Sequence, residues 1–290
     1  MQAVKYVRAA SVQDAVRLLQ DGGATARVLA GGTDVIVQAR ERRREIRLFV
    51  DVKHIKELIG VSYSARGGLT IGAATPCYQI YGDANVRQRY PTLVDASSVI
   101  GGTAIQGRAS LGGNLCNSSP AGDGIPAMIV LEGVANIAGP GGERTVAIEQ
   151  FCTGPGRNVL AAGEFVVSLH FPAPAAHSGA RWMRFIPRNE MDIAVVNAAS
   201  QLRFDGNRVS WARIALGAVA PTPLLVAEAA AAVVGKPLSD ETIAAAAAAA
   251  RSAATPIADM RGSIKQRKHL VGVFTERTLR GAAERAQGAQ

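Results

Sequence analysis

The chain has 290 residues, 48% hydrophobic and 19% charged, which is the balance of a globular protein with room for two or three cores and excludes a disordered chain. Its net charge of +9 and pI near 9.9 admit an acidic partner, but the densest basic run, Arg40 to Arg47, is interleaved with Glu41 and Glu45 and carries no aromatic residue. That run reads as solvated, and no nucleic-acid partner is expected.

Cys77, Cys116 and Cys152 are scattered and odd in number, and His54, His170, His177 and His269 are equally dispersed, so neither a disulfide framework nor a metal-ligand spacing is present. The start of the chain lacks a signal-peptide apolar run, and the alanine-rich stretch 243–250 is too short to cross a bilayer. A cytoplasmic protein with no membrane span is expected.

After a short opening strand, Ser11 with Asp14 three residues later predicts a capped helix carrying Val12, Ala15, Val16 and Leu19 on one face and stopping at Gly22-Gly23. Ala26 to Ala30 reads as a buried strand running into the turn Gly31-Gly32-Thr33-Asp34-Val35. A strand over Leu48 to Val52 and a short amphipathic piece, Ile55 to Ile59, close a first unit near residue 60.

Strands follow at Ile59 to Ser64 and Leu69 to Ala74, with a Gly67-Gly68 turn between them and a helix opening at Thr75-Pro76, Pro76 serving as its first residue. Residues 91–100 read as a helix ending at Gly101-Gly102. Beyond a Gly/Ser/Asn-rich stretch come a helix around Ile125 to Glu132, the strands Val134 to Ala138 and Val166 to Phe171, and a linker at Pro172-Ala173-Pro174. The last part shows strands at Arg181 to Phe185, Ile193 to Phe204 and Val209 to Val219, with Asp205-Gly206-Asn207 as a hairpin turn. Helices follow from about 224, one opening at Ser239 and a last one over Lys265 to Ala286. The expected module is a three-stranded antiparallel sheet with helices on one face.

The stretch Gln106 to Asp123 concentrates small, hydrogen-bonding residues. Gly112-Gly113 permits positive φ and close approach to the main chain, Ser110, Asn114, Asn117, Ser118 and Ser119 supply short polar groups, and Asp123 could accept a hydrogen bond from a sugar hydroxyl. The same composition also suits a glycine-rich connection between hairpins. With the turn at 31–34, the chain holds two glycine-rich segments, each beside a predicted strand, and two such turns meeting at a junction would suit a pyrophosphate-linked dinucleotide. Neither is the G-x-G-x-x-G or the G-x-x-x-x-G-K-[ST] pattern, which sets aside the Rossmann and P-loop readings.

Ala30-Gly31-Gly32-Thr33-Asp34, then Ala109 to Leu115 with Ser119 to Asp123, then Arg188 to Val196 resemble, in that order and spacing, the FAD-binding medium subunit of molybdenum hydroxylases, the family of xanthine dehydrogenase, aerobic carbon monoxide dehydrogenase and 4-hydroxybenzoyl-CoA reductase. The resemblance implies an α+β chain: a two-part FAD-binding domain of the vanillyl-alcohol oxidase (PCMH) type over residues 1–175, divided into 1–60 and 61–175, then a flavoprotein C-terminal domain over 178–290. Carried over residue by residue, it implies that Val28, Leu29, Ala30, Gly31, Gly32, Thr33, Asp34 and Val35 form the first pyrophosphate loop. Ser110, Leu111, Gly112, Gly113 and Asn114 would form the second, Asp123 would bind a ribose hydroxyl, Val166 would make an apolar flavin-site contact, and Arg184 stands where xanthine dehydrogenases place a Lys. Ile100 takes the position of a ring-stacking Phe in xanthine dehydrogenases, and Ile193 that of a Tyr in the carbon monoxide enzymes. Arg261-Gly262-Ser263 resembles a family signature, with Gln266-Arg267 replacing the usual Tyr-Arg.

No Ser–His or Cys–His pairing for nucleophilic catalysis is evident, and no His or Cys beside these motifs would tether a flavin, so FAD is expected to be non-covalent. The resemblance further implies an electron-exit subunit: a large molybdopterin-binding subunit oxidises substrate, a small 2Fe-2S subunit relays electrons, and this chain's FAD passes them to an acceptor, in a dimer of heterotrimers. The alternatives are a free-standing flavin oxidase acting on its own substrate and a basic nucleotide-binding scaffold.

Overall fold

The computed structural model describes residues 3–288, so the expected domain limits at Met1 and Gln290 lie outside the described residues. The chain begins with a parallel three-stranded sheet in which Leu48–Asp51 lies between Lys5–Arg8 and Ala26–Leu29. The expected capped helix is Val12–Gly22: Ser11 accepts from the Asp14 amide at 3.1 Å, and the Asp14 carboxylate accepts from the Ala10 amide at 2.9 Å. It buries Val12, Ala15 and Leu19 in a core that also takes Val50, Ala138 and Phe165.

Next comes a five-stranded antiparallel sheet in the order Val61–Ser64, Gly68–Gly72, Phe165–Phe171, Val134–Gly139, Gly142–Ala147. The central strand, Phe165–Phe171, pairs on both sides and buries both its faces, Val166 and Leu169 in one core and Phe165 in another, which is why its sequence is apolar enough to be recognised. The edge strand Gly142–Ala147 was not expected, because its first half is fully exposed and carries Glu143 and Arg144, as suits a sheet edge. Short helices pack over this sheet. Pro76 occupies the cap position of Cys77–Gly82, one residue before its expected place, and the helix expected over 91–100 is Pro91–Ser97. Gly124–Val130 is buried along its whole length.

The Gly/Ser/Asn-rich stretch contains a helix, Leu111–Asn117, where the sequence suggested a loop. Two glycines suppress helix propensity, but Ser110 caps the Gly113 amide at 3.0 Å, and Leu111 and Leu115, one turn apart, are both fully buried. Tertiary burial overrides the local preference.

The C-terminal sheet has four strands rather than the expected three: Ser178–Phe185, Val196–Asp205, Arg208–Gly217 and the two-residue edge Leu224–Leu225. Gly206-Asn207 makes the hairpin turn, with Gly206 at φ 56°. The strand expected from Ile193 begins at Val196. The preceding loop is held off the ladder by Asp192, whose carboxylate meets Arg188 at 3.3 Å and Arg261 at 3.1 Å.

Helices were expected on one face of this sheet, but both faces are covered. Ala227–Val233, Asp240–Ala253 and Ile264–Gly288 pack on one side, and Pro91–Ser97 and Gly124–Val130 on the other. Val196 to Leu202 is therefore buried throughout, with Ala199 and Ala215 turned toward the core of the five-stranded sheet and Ala198 and Ile214 toward the helices. Ser239 caps its helix as expected, and close packing of its alanines buries Ala246, Ala247 and Ala250. Arg285 near the chain's end grips Asp95 with two bonds, 2.7 and 2.9 Å, and donates to the Ala180 carbonyl at 2.7 Å. Among the described residues no helix is long and apolar enough to cross a membrane.

Candidate functional site

The two glycine turns meet. A Cβ built on Gly31 would lie 1.9 Å from the Arg108 carbonyl oxygen and 3.1 Å from the Ala109 nitrogen, so the main chain of the first turn rests directly on the residues leading into the second. Gly32 has φ 80°, a conformation that glycine adopts without strain. Gly112 in turn packs on the strand end at Ala73, where a Cβ would meet the carbonyl oxygen at 2.4 Å. A side-chain bond from Gln38 Nε2 to Asn117 Oδ1, 3.2 Å, ties the helix after the first turn, Val35–Arg40, to the helix after the second.

Each turn thus opens a helix, and each leaves main-chain donors free. Among the described residues the amides of Gly32, Thr33, Asp34 and Val35 donate to no protein acceptor, nor does that of Gly112. Unpaired amides converging from two turns form a nest for anionic oxygens. They border a cleft of about 700 Å³, within the range of cofactor pockets.

Most predicted site residues lie on this cleft: Val28, Ala30, Gly31, Gly32, Thr33, Asp34 and Val35 on one wall, Ser110, Gly112, Gly113 and Asn114 on the other, with Val166 between. Four do not. Leu29 and Leu111 turn their side chains into the core, and only their main chain belongs to the turns. Asp123 and Arg184 face one another in a buried ion pair, Nη1 to Oδ2 2.5 Å, and neither borders the cleft. Burial pushes the Asp123 carboxyl up to about 6 against the opposing pull of the Arg184 guanidinium, and its Oδ1 has no hydrogen-bond partner among the described residues. Burial raises the Asp34 pKa as well, although that side chain still reaches solvent at the rim.

Sequence reasoning missed part of the lining. Arg27 and Arg44 border the cleft, as do Cys116, Asn158 and the segment 160–165, which precedes and enters the central strand. Arg44 belongs to the run read as solvated and is exposed, at the cleft's rim, where its Nη2 donates to the Gly156 carbonyl at 3.0 Å. Asn158 donates to the Cys116 carbonyl at 3.0 Å. No periodic signal marks these positions, since they act through loop placement. The Cys116 thiol, pushed up to about 12 by burial, stays protonated. Ile100 also lines the cleft, while Met191, at φ 54°, stands over Gly102 and is exposed together with Ile193.

Residues 2–174 match the model of the FAD-binding domain in molybdopterin dehydrogenase, and residues 181–282 that of the CO dehydrogenase flavoprotein C-terminal domain. The chain belongs to the FAD-binding medium subunits of the molybdenum hydroxylases. It is 34% identical to a xanthine dehydrogenase FAD-binding subunit of Escherichia coli O157:H7 over 98% of this chain and 97% of that one. With the carbon monoxide dehydrogenase medium chain of Hydrogenophaga pseudoflava it shares 31% over 96% of each. Among solved structures it superposes on reconstituted CO dehydrogenase from Oligotropha carboxidovorans with a TM-score of 0.93, at 30% identity and 98% coverage of both chains. On quinoline 2-oxidoreductase from Pseudomonas putida 86 the TM-score is 0.90 at 31% identity, covering 99% of this chain and 98% of the other. This FAD-binding subunit is accordingly an FAD-dependent oxidoreductase subunit of an α+β fold, with FAD as its own cofactor.

Proposed function

We propose that this subunit is the electron exit of a molybdenum hydroxylase complex, receiving electrons from the 2Fe-2S clusters of a small partner and delivering them to an external acceptor while a large molybdopterin-binding partner oxidises substrate. Bound FAD supplies exchange between one-electron and two-electron partners. The observation that carries the reading is the contact of Gly31 with Arg108, which brings two sets of free amides to one cleft.

This chain's residues hold and orient the cofactor. The amides at 32–35 and that of Gly112 take the diphosphate, while Val28, Ala30 and Val166 supply apolar wall. Asp123 is assigned to a ribose hydroxyl, with Arg184 as its ion-pair partner. Non-covalent attachment is supported by the chemistry of the wall: no histidine lines the cleft among the described residues, and its cysteine is a protonated thiol. In this reading residues 1–175 form the two-part PCMH-type domain, split near 60, and 178–290 the C-terminal domain. The three free cysteines agree with a cytoplasmic complex, assembled as a dimer of heterotrimers.

The test has two steps. The isolated chain is expected to purify yellow, absorbing near 450 nm, and to release its flavin on mild denaturation. The complex stripped of FAD is expected to oxidise substrate with an artificial dye while losing reduction of its physiological acceptor. Persistence of that acceptor reduction without FAD sinks the proposal.

A further inference from the structure

The second glycine turn is also held from the C-terminal sheet. Three adjacent strands of that sheet place Arg184, Asn197 and Gly217 in one row, with Asn197 between the other two. Asn197 is fully buried and lies flat over the glycine: a Cβ on Gly217 would stand 2.1 Å from Asn197 Oδ1. Burial raises the Asp123 carboxyl to about 6 against the pull of Arg184 and of Asn197, so the Asn197 amide turns its donor end to that carboxylate. No hydrogen bond closes the approach. Among the described residues both amide atoms of Asn197 and Asp123 Oδ1 lack partners, an uncommon cost for buried polar groups. Just past Gly217, Ala218 takes φ 65°, a conformation rare outside glycine, and donates its amide to the Pro120 carbonyl at 2.6 Å.

What these groups hold is the segment Pro120 to Gly124, and that segment packs on the helix Leu111–Asn117 behind the second turn. Gly124 donates its amide to Asn114 Oδ1 at 3.0 Å. The same oxygen would stand 3.3 Å from a Cβ on Gly122 and 3.1 Å from one on Gly124, so no side chain separates the segment from Asn114. Asn114 lines the cleft, whereas Asp123 and Arg184 do not. Direct contacts thus run from the C-terminal sheet through residues 120–124 to the wall that carries the Gly112 amide, a supporting layer behind the groups that meet the ligand. We infer that Asn197 is a positioning residue of the flavin site: by holding Asp123 Oδ1 while Arg184 holds Oδ2, it fixes the segment 120–124 against Asn114 and keeps the second glycine turn in place. The inference rests on the FAD reading and adds the residue through which the C-terminal sheet acts on the cleft.

The experiment is titration of the flavin-free full-length chain with FAD, for the wild type and for Asn197→Leu, Asn197→Asp, Asp123→Ala and the double variant Asp123→Ala with Asn197→Leu, circular dichroism confirming the fold of each. Ser200→Ala is the control, since Ser200 is buried on the opposite face of the same strand, where it bonds Thr278 at 2.8 Å. Asn197→Leu keeps the volume and loses the donor, and its FAD affinity is expected to fall roughly tenfold, the size of one hydrogen bond to a charged group. Ser200→Ala is expected to stay within about twofold of wild type, because a loss of stability alone does not alter the affinity of the folded chain. In the Asp123→Ala background the same leucine substitution is expected to add less than about twofold, since neighbours that act as a unit are not additive. Wild-type affinity in Asn197→Leu, or an undiminished further loss in the Asp123→Ala background, overturns the inference. Should Asn197→Leu not fold, Asn197→Asp decides in its place. It sets a second carboxyl against the first, so its FAD affinity is expected to fall more steeply than that of wild type from about pH 6 to about pH 8. A pH profile equal to that of wild type counts against the inference. A wild type that binds no FAD instead overturns the FAD reading itself, so the two failures are distinct.

Discussion

Gly31 and Arg108 are in main-chain contact across seventy-seven positions of sequence: a Cβ on the glycine would sit 1.9 Å from the arginine's carbonyl oxygen. No side chain mediates the approach, so the geometry of both turns depends on one hydrogen atom in place of a methyl group. The free amides of 32–35 and of Gly112 converge because that atom is small.

Gly31→Ala is therefore expected to lose bound FAD and to cost about 1–3 kcal/mol of stability through overpacking. Flavin content after purification and urea unfolding check it. A variant that stays yellow and equally stable would show that the turns can separate without consequence.

Ser110→Ala removes the cap from the Gly113 amide and is expected to cost about 1 kcal/mol, with a smaller loss of FAD affinity than Gly31→Ala because the amides themselves remain. Thermal unfolding with and without FAD separates the two effects. An equal or greater loss of affinity would place the serine hydroxyl on the ligand.

The Asp123 and Arg184 pair predicts a pH signature. The folded pKa of Asp123, about 6, lies above the ordinary carboxyl value near 3.8, so the folded state binds the extra proton between those values. The stability from the neutral carboxyl is full below pH about 4 and is lost as pH rises through about 6. Asp123→Asn, which imitates the neutral form, is expected to gain stability relative to wild type between pH 4.5 and 7.5. A pH-independent difference in unfolding free energy refutes this. Arg184→Met leaves the carboxylate buried without a partner, and at pH 7.5 it is expected to be destabilised by about 3–5 kcal/mol.

Arg285 holds the last helix to Pro91–Ser97 through Asp95 and to the strand Ser178–Phe185 through Ala180. Arg285→Ala is expected to lower stability by about 2 kcal/mol, since a partly buried two-bond pair is lost. Hydrogen exchange should rise first in the final turns of that helix. Exchange spread evenly over the chain would mean that the clamp is not local.

Much of the architecture was legible where local chemistry is strong. Ser11 with Asp14, Ser239, the Asp205 to Asn207 turn and the apolar strand Phe165–Phe171 each announce themselves, because a cap, a tight turn and a buried strand draw on residues within a few positions of one another. The exposed edge Gly142–Ala147 and the two-residue edge Leu224–Leu225 carry no such pattern, and neither does the helix Leu111–Asn117 behind its glycines.

The cleft divides in the same way. Gly31, Gly32, Gly112 and Gly113 could be read in advance because a main chain that must approach another closely, or take positive φ, excludes side chains. Arg27, Arg44 and Asn158 could not, since nothing in their neighbouring sequence sets them apart from ordinary polar residues. The withdrawal of Asp123 onto Arg184 likewise depends on a strand sixty residues away. The sequence by itself determined the two turns, the capped helices and the family. Only the tertiary structure decided that the turns share a wall, that the C-terminal sheet is covered on both faces and that two arginines border the cleft, because those facts follow from long-range packing, which no local window of sequence contains.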